Sequence, residues 1–234
     1  MKRPKKDGSA YFYQTATVRT AGGIILGISL VWWWVGISMA SYYGPLIMMP
    51  IGLVLLIIGG VGYVKDSDIT EEIGRMMIDF DRDITDSDDI SKRILRHPSD
   101  VVTEAFSLSS DANYFKKAKD GSIISDSVTR THLWFTQDSI LLCARTVYLT
   151  EMNVDTKNGY SDLVEEYPFS QISSVELKEE ILPITLTNTK KQANIKCFRF
   201  ILKGSDGTTL ADLPSKNDMS MSTLCEEIER RITR

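Results

Sequence analysis

Two stretches without a single Asp, Glu, Lys, Arg or His, Thr20 to Ala40 and Leu46 to Val64, lie back to back near the N-terminus with only Ser41–Pro45 between them. Each approaches the ~20 residues that a helix needs to cross a ~30 Å hydrocarbon core. The pattern predicts an α+β membrane protein that opens with a transmembrane helical hairpin, its spans at 20–40 and 46–64. Lys2, Arg3, Lys5, Lys6 and Arg19 precede the first stretch, and Lys65, Arg75 and Arg82 follow the second. Basic residues favour the cytoplasmic side of a bilayer, so both termini are expected there. The expected location is a multi-pass one in the inner (plasma) membrane, with the lipid bilayer as a partner.

Gly23-x-x-x-Gly27 and the pair Gly59 and Gly60 are candidate helix-packing positions, because glycine lets backbones approach closely. Their partner is either the other helix of the hairpin, a second copy, or another subunit. Ser38-Met39-Ala40 before Ser41 has the small residues of a signal-peptide cleavage site. The apolar run is longer than the usual 7–15 residues of such peptides, so it is expected to be retained.

Charge divides the chain. The first 64 residues carry a net +4, and the whole chain −4, so the remainder carries −8. An acidic remainder disfavours broad electrostatic binding to nucleic acid or anionic lipid. Cys143, Cys197 and Cys225 are odd in number and lack CxxC spacing, which points to free thiols rather than a disulfide framework. From Asp68 to about Ile84, Ile69, Ile73, Met76, Met77, Phe80 and Ile84 recur at helical spacing, with Asp68 and Glu71 as a capping pair. A shorter helix is expected from about Asp88 to Arg96. Together, residues 65–100 read as an amphipathic connector whose apolar stripe packs on the domain that follows. Asp79-x-Asp81-x-Asp83 has the start of a calcium loop, but Ile84 and Ile90 stand where such a loop needs Gly and Glu; no metal or cofactor is expected.

Residues 101–234 alternate in short β-rich runs: Val101–Ser107, Thr131–Thr136, Ile140–Thr150, Leu163–Tyr167, Ile172–Lys178, Ile195–Lys203 and Thr208–Leu210. Turn chemistry separates them at Gln137-Asp138-Ser139, Asn158-Gly159, Pro168, Pro183 and Asp206-Gly207. A closing helix follows from Ser220 to about Thr233, with Met221, Leu224, Ile228 and Ile232 on one stripe. That order suits a small bent β-barrel capped by its C-terminal helix.

Leu133-Trp134-Phe135-Thr136-Gln137-Asp138-Ser139-Ile140-Leu141 resembles the strand–turn–strand of bacterial pleckstrin-homology-like (PH-like) and GRAM-like domains. Tyr167-Pro168-Phe169-Ser170-Gln171-Ile172-Ser173-Ser174-Val175 is similar to their Pro-x-x-x-Ile-x-x-Val strand entry. The likeness covers about 101–234, and a hairpin ahead of such a domain also resembles bacterial membrane proteins of that group. It implies a PH-like fold and a binding role. Lys116 and Lys117 are the candidate headgroup or partner contacts, although the alternating basic spacing of phosphoinositide-binding members is missing.

His97 and His132 are the two histidines, and neither stands in a catalytic or metal-binding pattern. The expectation is therefore a non-enzymatic membrane-anchored adaptor that binds a protein through the barrel's open edge or the Leu108–Arg130 loop. The alternative is a small accessory subunit of a larger transport or secretion complex, docking through the glycine-lined hairpin.

Overall fold

The structure, a computed structural model, describes residues 11–12, 17–39, 43–60, 65–95, 97–108, 114–150 and 159–233. Two apolar helices come first, α1 (Thr17–Met39) and α2 (Tyr43–Gly60). They pack closely through two glycines. A Cβ at Gly22 would stand 2.7 Å from the Leu56 backbone nitrogen, and one at Gly52 would stand 2.8 Å from that of Leu26. At Gly23 and Gly27 a Cβ would meet nothing within 4 Å, so the helix contact uses the register one residue away from the expected motif. Gly59 and Gly60 fall in the last turn of α2, where the side-chain environment lies outside the described residues, as does the expected turn at 41–42. Away from the contact, Ile24, Val31, Trp34, Leu46, Ile47 and Ile51 are exposed.

No helix among the described residues is long and apolar enough to cross a membrane. At 18 residues, α2 is about 27 Å long, short of a ~30 Å hydrocarbon core. The first turn of α1 holds Thr17, Arg19 and Thr20, which are poor lipid-facing groups. The transmembrane hairpin at 20–40 and 46–64, the classification as an α+β membrane protein, and the multi-pass inner-membrane location with cytoplasmic termini are corrected accordingly. With them goes the anchoring that made a lipid bilayer an expected partner.

Helix α3 (Asp66–Thr85) begins two residues before the expected start; the Asp68 carboxylate accepts from the Lys65 N–H at 3.2 Å. This satisfies a terminal donor that the helix itself cannot. A short α4 (Asp88–Arg93) follows. The α3 stripe of Ile69, Ile73, Met77, Phe80 and Ile84 is buried.

Among the described residues, nine strands then form three antiparallel sheets: β1 (Val101–Phe106), β2 (Phe115–Lys117), β3 (Ile123–Ser125), β4 (Ser127–Phe135), β5 (Ser139–Tyr148), β6 (Tyr160–Pro168), β7 (Ile172–Thr185), β8 (Gln192–Gly204) and β9 (Thr209–Ser215). The order is β1-β4-β5-β6 in one sheet and β7-β8-β9 in another, with β2-β3 a separate hairpin inserted between β1 and β4. The closing helix α5 (Met219–Ile232) starts at Asp218, whose carboxylate accepts from the Met221 N–H at 3.0 Å.

One face of β4 and β5 points into the main core. There Leu133, Phe135, Ile140, Leu142 and Ala144 meet Val175, Phe200 and Leu202 from the other sheet and Met221, Leu224 and Ile228 from α5. The opposite face is covered by α3, with Val128 and Val147 against Ile69, Ile73 and Met77, and Leu141 and Cys143 against Phe80 and Ile84. A strand buried on both faces needs apolar residues at successive positions rather than alternate ones. That accounts for the unbroken run Ile140-Leu141-Leu142-Cys143-Ala144. Each fully buried side chain of this size contributes roughly 1.5–3 kcal/mol.

The inserted β2-β3 hairpin clamps onto an extension of β7-β8. Phe115 packs with Ile184 and Leu186, and its backbone N–H donates to Thr187 Oγ1 at 3.0 Å while its carbonyl accepts from Thr187 N at 2.8 Å.

Candidate functional site

Strands β8 and β9 differ in length. β7 pairs with β8 over its whole run, Gln192 to Gly204, whereas β9 pairs only with Phe198 to Lys203. At Ser215 the chain leaves the sheet: the Lys216 N–H donates to Thr103 Oγ1 on β1 at 3.4 Å, and Asp218 caps α5. Among the described residues, the edge of Gln192–Cys197 that faces away from β7 has no strand partner. Opposite lies β1, itself the end strand of its sheet.

Between these edges opens a groove of about 590 Å³. Phe106, Val128, Phe198 and Pro214 supply apolar lining, and Leu108 and Ile123 of the inserted segment complete it. Its charged side chains are mostly neutralised. Glu104 lies 3.3 Å from Arg130, Lys196 lies 2.8 Å from Glu179, and Arg199 lies 2.7 Å from Asp212. Among the described residues, Lys216 and Asp218 are the charged groups of the lining without an ion pair. The Asp218 carboxylate is held at the N-terminus of α5, where the positive end of the helix favours it, while the Lys216 ammonium has no such counterpart.

Lys116 and Lys117 stand elsewhere, on β2. Lys116 is only 7 % exposed. Its Nζ sits 3.6 Å from the Tyr11 ring centroid and 3.7 Å from Asp66 Oδ1. Burial lowers its pKa, and the Asp66 charge opposes that shift. Tyr11 also donates to Asp66 at 2.9 Å. Lys116 is thus a buried tie between β2, α3 and the N-terminal segment, and cannot cradle a headgroup. Lys117 is exposed.

Both histidines are engaged in packing and polar contacts. His132 packs between the Phe80 and Trp134 rings, and its Nε2 lies 2.8 Å from Asp81. Burial is the first cause of its lowered pKa; the Asp81 contact raises it and the Arg130 charge lowers it further. Arg130 reaches Asp81 at 3.0 Å as well as Glu104, while its Nε has no partner. His97 accepts from the Ser99 N–H at its Nδ1, its ring lies tilted against that of Phe135 with centroids 4.7 Å apart, and its Nε2 lies 3.7 Å from Glu227. Arg145 binds Asp162 at 2.7 Å and Asp83 at 3.2 Å. The three aspartates that begin like a calcium loop are therefore held by Arg82, Arg130, His132 and Arg145. No metal-holding cluster occurs among the described residues.

All three cysteines are free. Burial pushes the Cys143 and Cys225 thiols up to about 11 and raises that of Cys197. Thiols shifted in this direction make poor nucleophiles.

Sequence reasoning named the open edge and the Leu108–Arg130 segment, but not Phe106, Phe198 or Lys216. A usable signal was present: an apolar run at Ile195–Lys203 faces a shorter one at Thr208–Leu210, and unequal neighbours leave unpaired edge. No protein-family profile, no curated protein and no solved structure matches this chain.

Proposed function

We propose that this chain is a non-enzymatic adaptor: a PH-like module whose partner, a protein, seats in the groove between β1 and β8. The reading of the framework as PH-like rests on the order of four-stranded sheet, three-stranded sheet and closing helix, together with the two strand-entry motifs. The single observation that carries the binding role is the groove itself. It combines apolar lining with unpaired strand edge, the combination that recognises another chain through main-chain bonds and side-chain pockets together.

Site-specific photocrosslinking in the cell of origin tests this. A crosslinker at Phe198 should yield one discrete adduct that Phe106→Asp abolishes, while one at exposed Ile181, outside the groove, should not yield it. Equal adducts at both positions, or none at Phe198, overturn the adaptor reading.

A second reading, docking into a larger assembly through the hairpin, is favoured by one observation. Gly23 and Gly27 face open space beside exposed Ile24 and Val31. If Val31→Glu abolishes partner capture while Phe106→Asp leaves it intact, the hairpin is the docking element instead.

A further inference from the structure

We infer that the occupant of the groove is an extended peptide segment of a partner protein, which adds a strand to β8 where β9 stops. It carries an apolar side chain toward Phe106, Val128 and Phe198, and a carboxylate toward Lys216. The inference rests on the adaptor reading and deepens it by fixing the chemistry of the partner.

The backbone makes the first argument. Gln192–Cys197 is continuous, regular strand: its pairing with β7 runs without a shift, and the irregularities lie elsewhere, at Ile172/Ser174 and Leu202/Lys203. Six residues at about 3.4 Å each give roughly 20 Å of edge, of which Lys196 and Cys197 enter the groove and the rest continues beyond it along β8. In an antiparallel ladder alternate residues turn their N–H and C=O groups to each side, so three of the six face away from β7. Among the described residues no backbone hydrogen bond reaches that side. Proteins usually blunt such an edge with proline, a bulge or several charges. This one contains neither proline nor bulge, and Lys196 is its only charged side chain.

Shape and charge make the second. A helix laid in the groove would satisfy none of the edge donors and acceptors, whereas a strand satisfies them while directing alternate side chains downward. The volume of about 590 Å³ lies within the ~300–1,000 Å³ of formed ligand sites. Glu104, Lys196 and Arg199 are already paired, and the Asp218 carboxylate is turned to the α5 N-terminus, whose dipole favours a negative charge. Lys216 is the lining charge left without a counterpart, and it selects a carboxylate. A second copy pairing edge to edge would bring two sets of Lys196 and Lys216 together, and like charges across strands destabilise.

Hydrogen exchange on the full chain tests the inference, with acetyl-(Val-Glu)4-amide as probe. Acetyl-(Val-Lys)4-amide and a Val-Glu peptide N-methylated at alternate amides serve as controls. At ten times its Kd the probe should slow exchange at alternate amides within 192–197 by about tenfold. The N-methylated peptide should lose that protection, and Lys216→Glu should reverse the preference between the Glu and Lys peptides. Protection confined to Phe106 and Phe198 and insensitive to N-methylation overturns the strand pairing while leaving the adaptor reading standing. Alternate amides already protected without peptide in proportion to protein concentration identify a second copy as the occupant and overturn the inference. No protection anywhere in the groove overturns it too, and only a failed crosslink at Phe198 in addition brings down the adaptor reading.

Discussion

At the scale of single residues, charge is used to close the structure. Asp66 accepts from Tyr11, from the Lys119 N–H at 3.2 Å, and faces the buried Lys116 ammonium. Removing its charge leaves that ammonium without a counter-ion, which costs more than replacing both partners. Asp66→Asn should therefore destabilise by about 2 kcal/mol, read as a lowered urea midpoint, whereas Asp66→Asn combined with Lys116→Met should recover most of the loss. His132 predicts a pH dependence. Its folded pKa lies below the ordinary 6.5, so the unfolded chain binds the proton more readily and stability falls as pH drops through about 6.5 toward the folded value. His132→Gln should flatten the change in thermal midpoint between pH 7.5 and 5; an unchanged slope would assign the pH response to other groups.

At the scale of elements, much was legible because burial imposes period. The α3 and α5 stripes each bury one face against a defined neighbour, the β4–β5 pair buries both of its faces, and the spacing of apolar residues records each case. Met77 is fully buried in the α3 seat, so Met77→Ala should cost about 2–4 kcal/mol by chemical denaturation with circular dichroism as readout. Other elements left a weaker trace. β2 is three residues long and holds two lysines, too short to show alternation. Pro183 reads as a break yet lies within β7, and Pro214 within β9. Both strands are at sheet edges, where the missing N–H costs no ladder bond. The glycine motif misled by one residue because Gly22 and Gly23 are adjacent, and only the packing decides which faces α2. The groove was the least legible feature, since it arises where β9 departs for α5, a relation between elements distant in sequence.

At the scale of the whole molecule, the sheet that carries one bank of the groove is also the seat of α3. Sequence spacing divides the chain near residue 100, but the hydrophobic contacts of β4 and β5 reach back across that line to Ile69 and Ile84. A fragment of residues 65–234 should retain a cooperative thermal transition. One of residues 101–234, with Leu141, Cys143 and Val147 stripped of their cover, should lose it and bind a hydrophobic dye; a sharp transition in the shorter fragment would show α3 to be dispensable.

Arg130 grips Asp81 of α3 with one nitrogen and Glu104 of the groove with another. One guanidinium thereby fastens both α3 and the groove's rim to β4, so a change that removed it would take a cationic partner from a carboxylate on each side at once.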